Sequence, residues 1–321
     1  MKRIAIMMVV VGVCVLGYGQ DKPAAQSGAA PGAAAGQTAA TTPPGKRPPQ
    51  AKTQPEYEAY QAAMAIKARQ RLQELQSKPS PTDQEKQEMA TLRQQIEVAD
   101  EPANLEKAAD DFAAKFPQSE LRVVLYKAAM QKYQAANNAD KMLEIGRKAL
   151  SLDPDDPEAL VGVSQVLTER TRDGDLDKDQ KLAEAKKDAE RALVTVDTDV
   201  PTAGFPPDRI DMFKRYTRSE AYAILGTQAS NNENYAEAET DLRKSIDAFP
   251  EQVDPVAVLR LAIALDKQNK TAEALKYANQ AVDLTKDHAD TAVGKAARAE
   301  QDRLRQLSGG TAPGQATAPP K

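Results

Sequence analysis

One pattern recurs through this chain at an interval near 34 residues, and it constrains the fold more than any other feature. In SEAYAILGTQASNNENYAEAETDLRKSIDAFP, which begins at Ser219, the residues Tyr222, Leu225, Gly226 and Ala229 fall at i, i+3, i+4 and i+7, one face of a helix. Asn231 and Asn232 interrupt that helix. A second follows with Ala238, Leu242 and Ser245 on its buried face, and Pro250 closes it because proline disfavours helix in the residue before it. VAVLRLAIALDKQNKTAEALKYANQAVDL repeats the arrangement with Val258, Leu261, Ala262 and Leu265, then Ala274, Ala278 and Ala281; Gly226 and Ala262 stand 36 residues apart. A third copy carries Tyr126, Ala129, Met130 and Tyr133, then Met142, Gly146, Ala149 and Pro154, and another opens at once, with Leu160 lying 34 residues after Tyr126. Strand signals are nearly absent. Helix pairs at such a period bury their apolar faces only by stacking on one another, which predicts an all-α solenoid.

The spacing of bulky and small positions resembles the tetratricopeptide repeat, and the string ALSLDPDDPEAL is similar to that family's repeat junction. The resemblance, to exported bacterial members, implies a right-handed superhelix of antiparallel helix pairs in which small residues let the two helices of a pair approach closely. It places repeats at about 123–156, 157–195, 219–252 and 255–288, with a capping helix over 289–307 whose solvent face carries Arg298, Glu300 and Arg303. Upstream, 54–117 forms N-terminal helices with a degenerate repeat: an amphipathic helix over Gln54–Gln76, another over Asp83–Ala99, and one over Ala103–Phe116 ended by Pro117. The second repeat departs from the pattern. Ala185, Ala189 and Ala192 fit its second helix only if about nine residues are inserted before them, in the stretch RDGDLDKDQK. A further departure, 197–208, holds Pro201, Pro206 and Pro207, and the next helix starts early, near Asp208.

Composition bears on the core and on destination. Aromatic residues make up 4% of the 321 and tryptophan is absent, so small apolar side chains must do most of the packing. Lys2 and Arg3, the apolar run Ile4–Leu16, and Gly17 and Gly19 before Gln20 form a secretory leader over 1–19, too short to span a bilayer in an extended helix of ~20 residues. Cleavage gives a periplasmic or extracellular protein, and retention leaves a membrane-tethered one. Val13 before Cys14 argues against lipid attachment there, and loss of the leader removes the only cysteine. The segment 20–53 and the tail 308–321 are rich in Ala, Pro, Gly and Thr and read as disordered. The net charge of −4 carries no basic footprint for nucleic acid.

Candidate chemistry is sparse. Asp173, Asp175, Asp177 and Glu184 occupy positions 1, 3, 5 and 12 of a calcium-loop spacing, but Lys178 stands where the loop needs a turning glycine and Gln180 where an apolar residue is usual. His288 is the only histidine, and neither a nucleophile-elbow nor a phosphate-loop motif is present. The chain therefore reads as non-enzymatic, with no cofactor except the calcium that loop could hold. In the family it resembles, the first helix of each pair lines a concave groove. Carried over, that groove is Val124, Lys127, Gln131, Glu158, Val161, Gln165, Glu220, Ala223, Thr227, Asn231, Val256, Leu259, Ile263 and Lys267. A competing reading has Val256, Leu259 and Ile263 packing on the capping helix. Lys127 fits one slot of the family's terminal-carboxylate clamp, but Ala128 and Gln131 stand where asparagines are expected. EKAADDFAAKFPQSELR is loosely similar to repeats of envelope assembly and cell-division coordinators. Two functions follow as expectations: an envelope scaffold that takes a peptide or partner protein in the groove, or a calcium- or carbohydrate-associated binding protein that uses the loop at 173–181.

Overall fold

The computed structural model describes residues 46–309, and among them there are thirteen α-helices and no strand. The expected leader, most of the expected linker and the tail beyond Gly309 lie outside the described residues. The helices are α1 (Gln54–Ala63), α2 (Ile66–Gln76), α3 (Asp83–Asp100), α4 (Pro102–Lys115), α5 (Leu121–Ala135), α6 (Ala139–Leu152), α7 (Pro157–Arg170), α8 (Lys178–Thr198), α9 (Pro207–Asn231), α10 (Tyr235–Ala248), α11 (Pro255–Lys267), α12 (Thr271–Leu284) and α13 (Ala292–Leu307). From α4 onward each helix packs on the next, and α5, α7, α9, α11 and α13 also touch in series as one continuous layer. No helix among the described residues is long and apolar enough to cross a membrane.

The backbone of the turns repeats as the side chains do. Asn137, Glu233 and Asn269 sit at the same place in three helix pairs, and each has positive φ, between 56° and 62°. The amides of Asn138, Asn234 and Lys270 then reach back to the carbonyls of Tyr133, Ala229 and Leu265 at 2.9–3.0 Å, which satisfies the orphan acceptors at each helix end. Asn138 and Asn234 go on to cap α6 and α10 through their side chains. The α7–α8 turn lacks this arrangement because the inserted residues replace it.

Small residues set the separation within a pair. Ala185, Ala189, Ala192, Ala238, Ala274, Ala278 and Ala281 are fully buried. Gly146 lies so close to α7 that a Cβ there would meet Val163 Cγ2 at 2.7 Å. In the stretched second pair the Ser164 hydroxyl donates to Ala185 O at 2.6 Å, and in the third Ser219 donates to Ser245 O at 2.9 Å. These buried hydroxyls cost nothing in lost hydration because each finds a carbonyl of the partner helix.

The structure departs from the sequence reading at several places. Gln54–Gln76 is two helices, broken at Met64 and Ala65, where Ala65 is left-handed (φ 49°). Tyr222 and Leu225 are only half-buried, while Ala221 and Ile224, on the flank, are buried; α9 is gripped by α8 as well as by α10. The capping helix begins at Ala292, after a 3-10 turn at Lys286–His288 and an N-cap from Thr291. The expected linker over 20–53 ends too late, since 46–53 lies pinned against the domain: Lys46 pairs with Asp153 and Arg47 with Glu120.

Candidate functional site: a groove along the first helices

A cavity of about 680 Å³ opens along the layer formed by α5, α7, α9 and α11. From α5 and the turn after it come Met130, Gln131, Gln134 and Asn138; from α7, Glu158, Val161, Gln165 and Thr168. Gly162 sits beneath Met130, close enough that a Cβ would press on Met130 Cε and Met142 Cε at 3.1 and 3.2 Å. Helix α9 contributes at both ends, with Met212, Phe213 and Tyr216 before the repeat register begins and Thr227 and Asn231 at its close. Phe249 completes an aromatic wall, its ring edge-on to Tyr216 at 6.2 Å and with the Arg215 guanidinium 5.5 Å from its centroid.

Polar contacts fix the floor. Gln228 donates to Thr168 Oγ1 at 2.8 Å and ties α9 to α7 inside the protein. Gln165 donates to Glu169 at 3.1 Å, and Gln131 donates to Glu158. Cations gather at the rim: Arg170, Arg172 and Arg260 line the cavity, and Arg172 Nη1 donates to Glu169 O at 2.7 Å, closing the C-terminus of α7. The lining thus combines amides that can both donate and accept, an apolar and aromatic wall, and guanidinium groups.

Of the residues expected in the groove, Gln131, Glu158, Val161, Gln165, Thr227, Asn231 and Val256 line this cavity, and Glu220 and Ala223 line a small adjoining one of about 50 Å³. The other five are elsewhere. Lys127 turns into the α5–α7 contact, where it meets Asp156 at 2.8 Å and Glu158 at 3.1 Å. Burial disfavours its charge, but the two carboxylates outweigh that and raise its pKa. Val124 packs partly buried against the N-terminal core, and Lys267 is exposed in the last turn of α11. Leu259 and Ile263 pack with Val258, Ala281 and Ala297 of the C-terminal core, so for these two the capping-helix alternative holds and the groove assignment does not.

Each carboxylate of the calcium spacing faces a cation. Asp173 pairs with Lys178 at 2.8 Å, Asp175 and Asp177 share Lys181 at 3.4 and 2.9 Å, and Glu184 pairs with Arg147 across helices at 2.8 Å. Hydrogen bonds from their lysines hold the Asp173 and Asp177 carboxyls below the usual range. No group of three or more His, Cys, Asp or Glu side chains able to hold a metal occurs among the described residues. Leu176, wholly exposed at the tip of this loop, is the one apolar group it presents.

Met212, Phe213, Tyr216 and Phe249 escaped the sequence reading. The early start of α9 was legible, but which way its first turns face depends on how they pack on the end of α10, where Arg215 Nε donates to Ala248 O at 3.3 Å.

No protein-family model matches the chain, and no curated protein matches it. Among solved structures it is similar to YrrB, described as a tetratricopeptide protein with an unusual peptide-binding site, at 18% identity over 63% of this chain and 85% of that one, with a TM-score of 0.40. It is also similar to the APC/C hetero-tetramer Cut9–Hcn1, at 12% identity over 79% of this chain and 49% of that one, with a TM-score of 0.35; the chain spans about half of that relative's length. By its own helix pairs, turn geometry and small-residue contacts, the described chain is a tetratricopeptide-like α-solenoid.

Proposed function

We propose that this chain is a non-catalytic scaffold that binds an extended segment of a partner protein along the groove of α5, α7, α9 and α11. The observation that carries the reading is the cavity itself, which takes lining residues from the first helices of four pairs and joins an amide-lined floor to the aromatic wall of Phe213, Tyr216 and Phe249. Gln131, Gln134, Gln165 and Asn231 bring amides that can donate to and accept from a peptide backbone, while apolar side chains of the segment would lodge against the wall. The leader at 1–19 supports an envelope location, periplasmic or extracellular, and the likeness of 106–122 to envelope coordinators supports a partner in envelope assembly.

The test is photo-crosslinking in the cell from Met212, at the groove, and from Val194, exposed on α8. A partner segment should crosslink from Met212 alone, and its peptide should bind Met212→Glu about tenfold more weakly, the loss expected when one apolar interface contact is replaced by a charge. Equal crosslinking from both positions, or unchanged affinity for Met212→Glu, would remove the groove from the function.

A further inference from the structure

Residues 46–53 precede α1 without regular secondary structure and contact three separate connections of the solenoid. Lys46 reaches the end of α8, where its backbone N–H donates to Thr198 O at 3.1 Å and its ammonium lies 3.5 Å from Asp199. The same ammonium is 2.6 Å from Asp153, in the turn between α6 and α7. Arg47 Nη2 donates to both oxygens of Glu120, just before α5, at 2.8 and 2.9 Å, and the Gln50 amide donates to that carboxylate at 3.4 Å. Lys52 closes the run with its side chain on Gln118 O at 3.2 Å and its amide on Glu56 at 2.8 Å. Three successive connections of the solenoid, before α5, after α6 and after α8, are thus bridged by one stretch of chain.

We propose that Glu120, Asp153 and Asp199 form an acidic ledge that docks a Lys-Arg-Pro-Pro segment, and that the chain's own Lys46–Pro49 occupies it as a detachable clasp. The segment suits the ledge chemically. Pro48 and Pro49 hold it extended and bring no amide that would need a partner. Arg47 reaches both oxygens of Glu120 from its one Nη2, and the Lys46 ammonium reaches both oxygens of Asp153, so each basic side chain of the segment meets a carboxylate through charge-assisted hydrogen bonds. Detachment follows from exposure. The Arg47 and Glu120 side chains are 58% and 36% exposed, and of this segment only Ala51 packs against the apolar core. Pairs of that kind are individually weak and are screened by salt.

In a solenoid each repeat normally touches only its neighbours, so helix pairs can flex against one another. The clasp is a long-range exception. While seated it ties the N-terminal helices to the second repeat. Once released it frees those connections and exposes an anionic surface to any other basic, proline-rich segment.

The test uses the full chain. Hydrogen exchange at the Lys46 and Gln50 amides is measured at about 50 and 500 mM salt, in the wild type and in Arg47→Glu. Both the salt and the substitution should raise exchange about tenfold at these two amides while helix interiors stay protected. A labelled peptide GKRPPQAK should bind a Lys46→Glu/Arg47→Glu chain, whose ledge is empty, at least tenfold more tightly than it binds the wild type. Adding Glu120→Arg to that chain should abolish the binding. Exchange indifferent to salt and to Arg47→Glu would overturn the proposal, as would a peptide that binds wild type and variant alike. Protection that appears only as protein concentration drives dimerisation would place the segment of a second copy on the ledge and overturn the occupant named here.

Discussion

Replacing Gly226 by alanine tests the register on which the solenoid is built. At an unhindered interior helix position the change gains about 1 kcal/mol, because glycine loses more backbone freedom on folding. At Gly226 the new Cβ would lie 2.7 Å from Leu242 Cγ, 3.0 Å from Leu242 Cδ2 and 3.1 Å from the Leu242 backbone nitrogen. Leu242 is fully buried and cannot swing away, and its backbone retreats only if α10 moves as a body. Overpacking of this kind costs about 1–3 kcal/mol, which leaves a net loss of up to about 2 kcal/mol after the propensity gain, or up to roughly 8 °C in Tm. Leu242→Ala alone should cost about 2–5 kcal/mol through the cavity it leaves. In the double variant the alanine methyl points into vacated space, so Gly226→Ala turns from harmful to neutral or better, a coupling of at least about 1 kcal/mol. Circular dichroism gives the melts, and hydrogen exchange locates the damage, which should stay in α9–α12 and spare α5–α7 because repeats couple only to neighbours. A rise in Tm for Gly226→Ala with an additive double variant would refute the close packing of α9 on α10 and the small-residue logic with it.

Lys127→Met should destabilise the chain by about 2–3 kcal/mol, the low end for breaking a buried pair, because it strands Asp156 and Glu158 beside each other while the site keeps some access to solvent. Since the penalty comes from two carboxylates, it should shrink in denaturant melts at pH 4 relative to pH 7. Asp188 offers the opposite sign. Burial, with help from the nearby Glu184 charge, pushes its carboxyl up to about 6. The folded chain therefore holds that proton more tightly than the unfolded chain, and stability falls as pH rises from near 4 to 6. Asp188→Asn should add about 1–2 kcal/mol at pH 7, discounted for partial exposure, and nothing below pH 4; a gain that is constant across pH would show that charge is not the cause.

How much of this was legible beforehand depends on the range of the interaction that decides each feature. The helix pairs were readable because their determinants are local: Asn138 and Asn234 cap, Pro250 blocks continuation, and Gly146 and the buried alanines sit at fixed offsets that packing within a pair requires. The groove was readable only in part. Val161, Gln165 and Asn231 face it because they lie mid-layer, where the repeat's own geometry sets direction. Leu259 and Ile263 hold equivalent positions but have one more helix against them, and α13 converts a groove face into core. Lys127 was diverted by charges at the junction with the next repeat, Asp156 at the end of its own and Glu158 in the first turn of α7. The segment before α1 was misread for a related reason. Its Ala, Pro and Gly content predicts too little apolar burial to order it, and that arithmetic is correct for an isolated chain. What orders it is three carboxylates contributed by connections 73 to 153 positions further on, whose convergence on one edge exists only once the helix pairs are stacked. Composition can report how much surface a segment buries, but a basic, proline-rich strand laid across an assembled acidic edge needs the fold first.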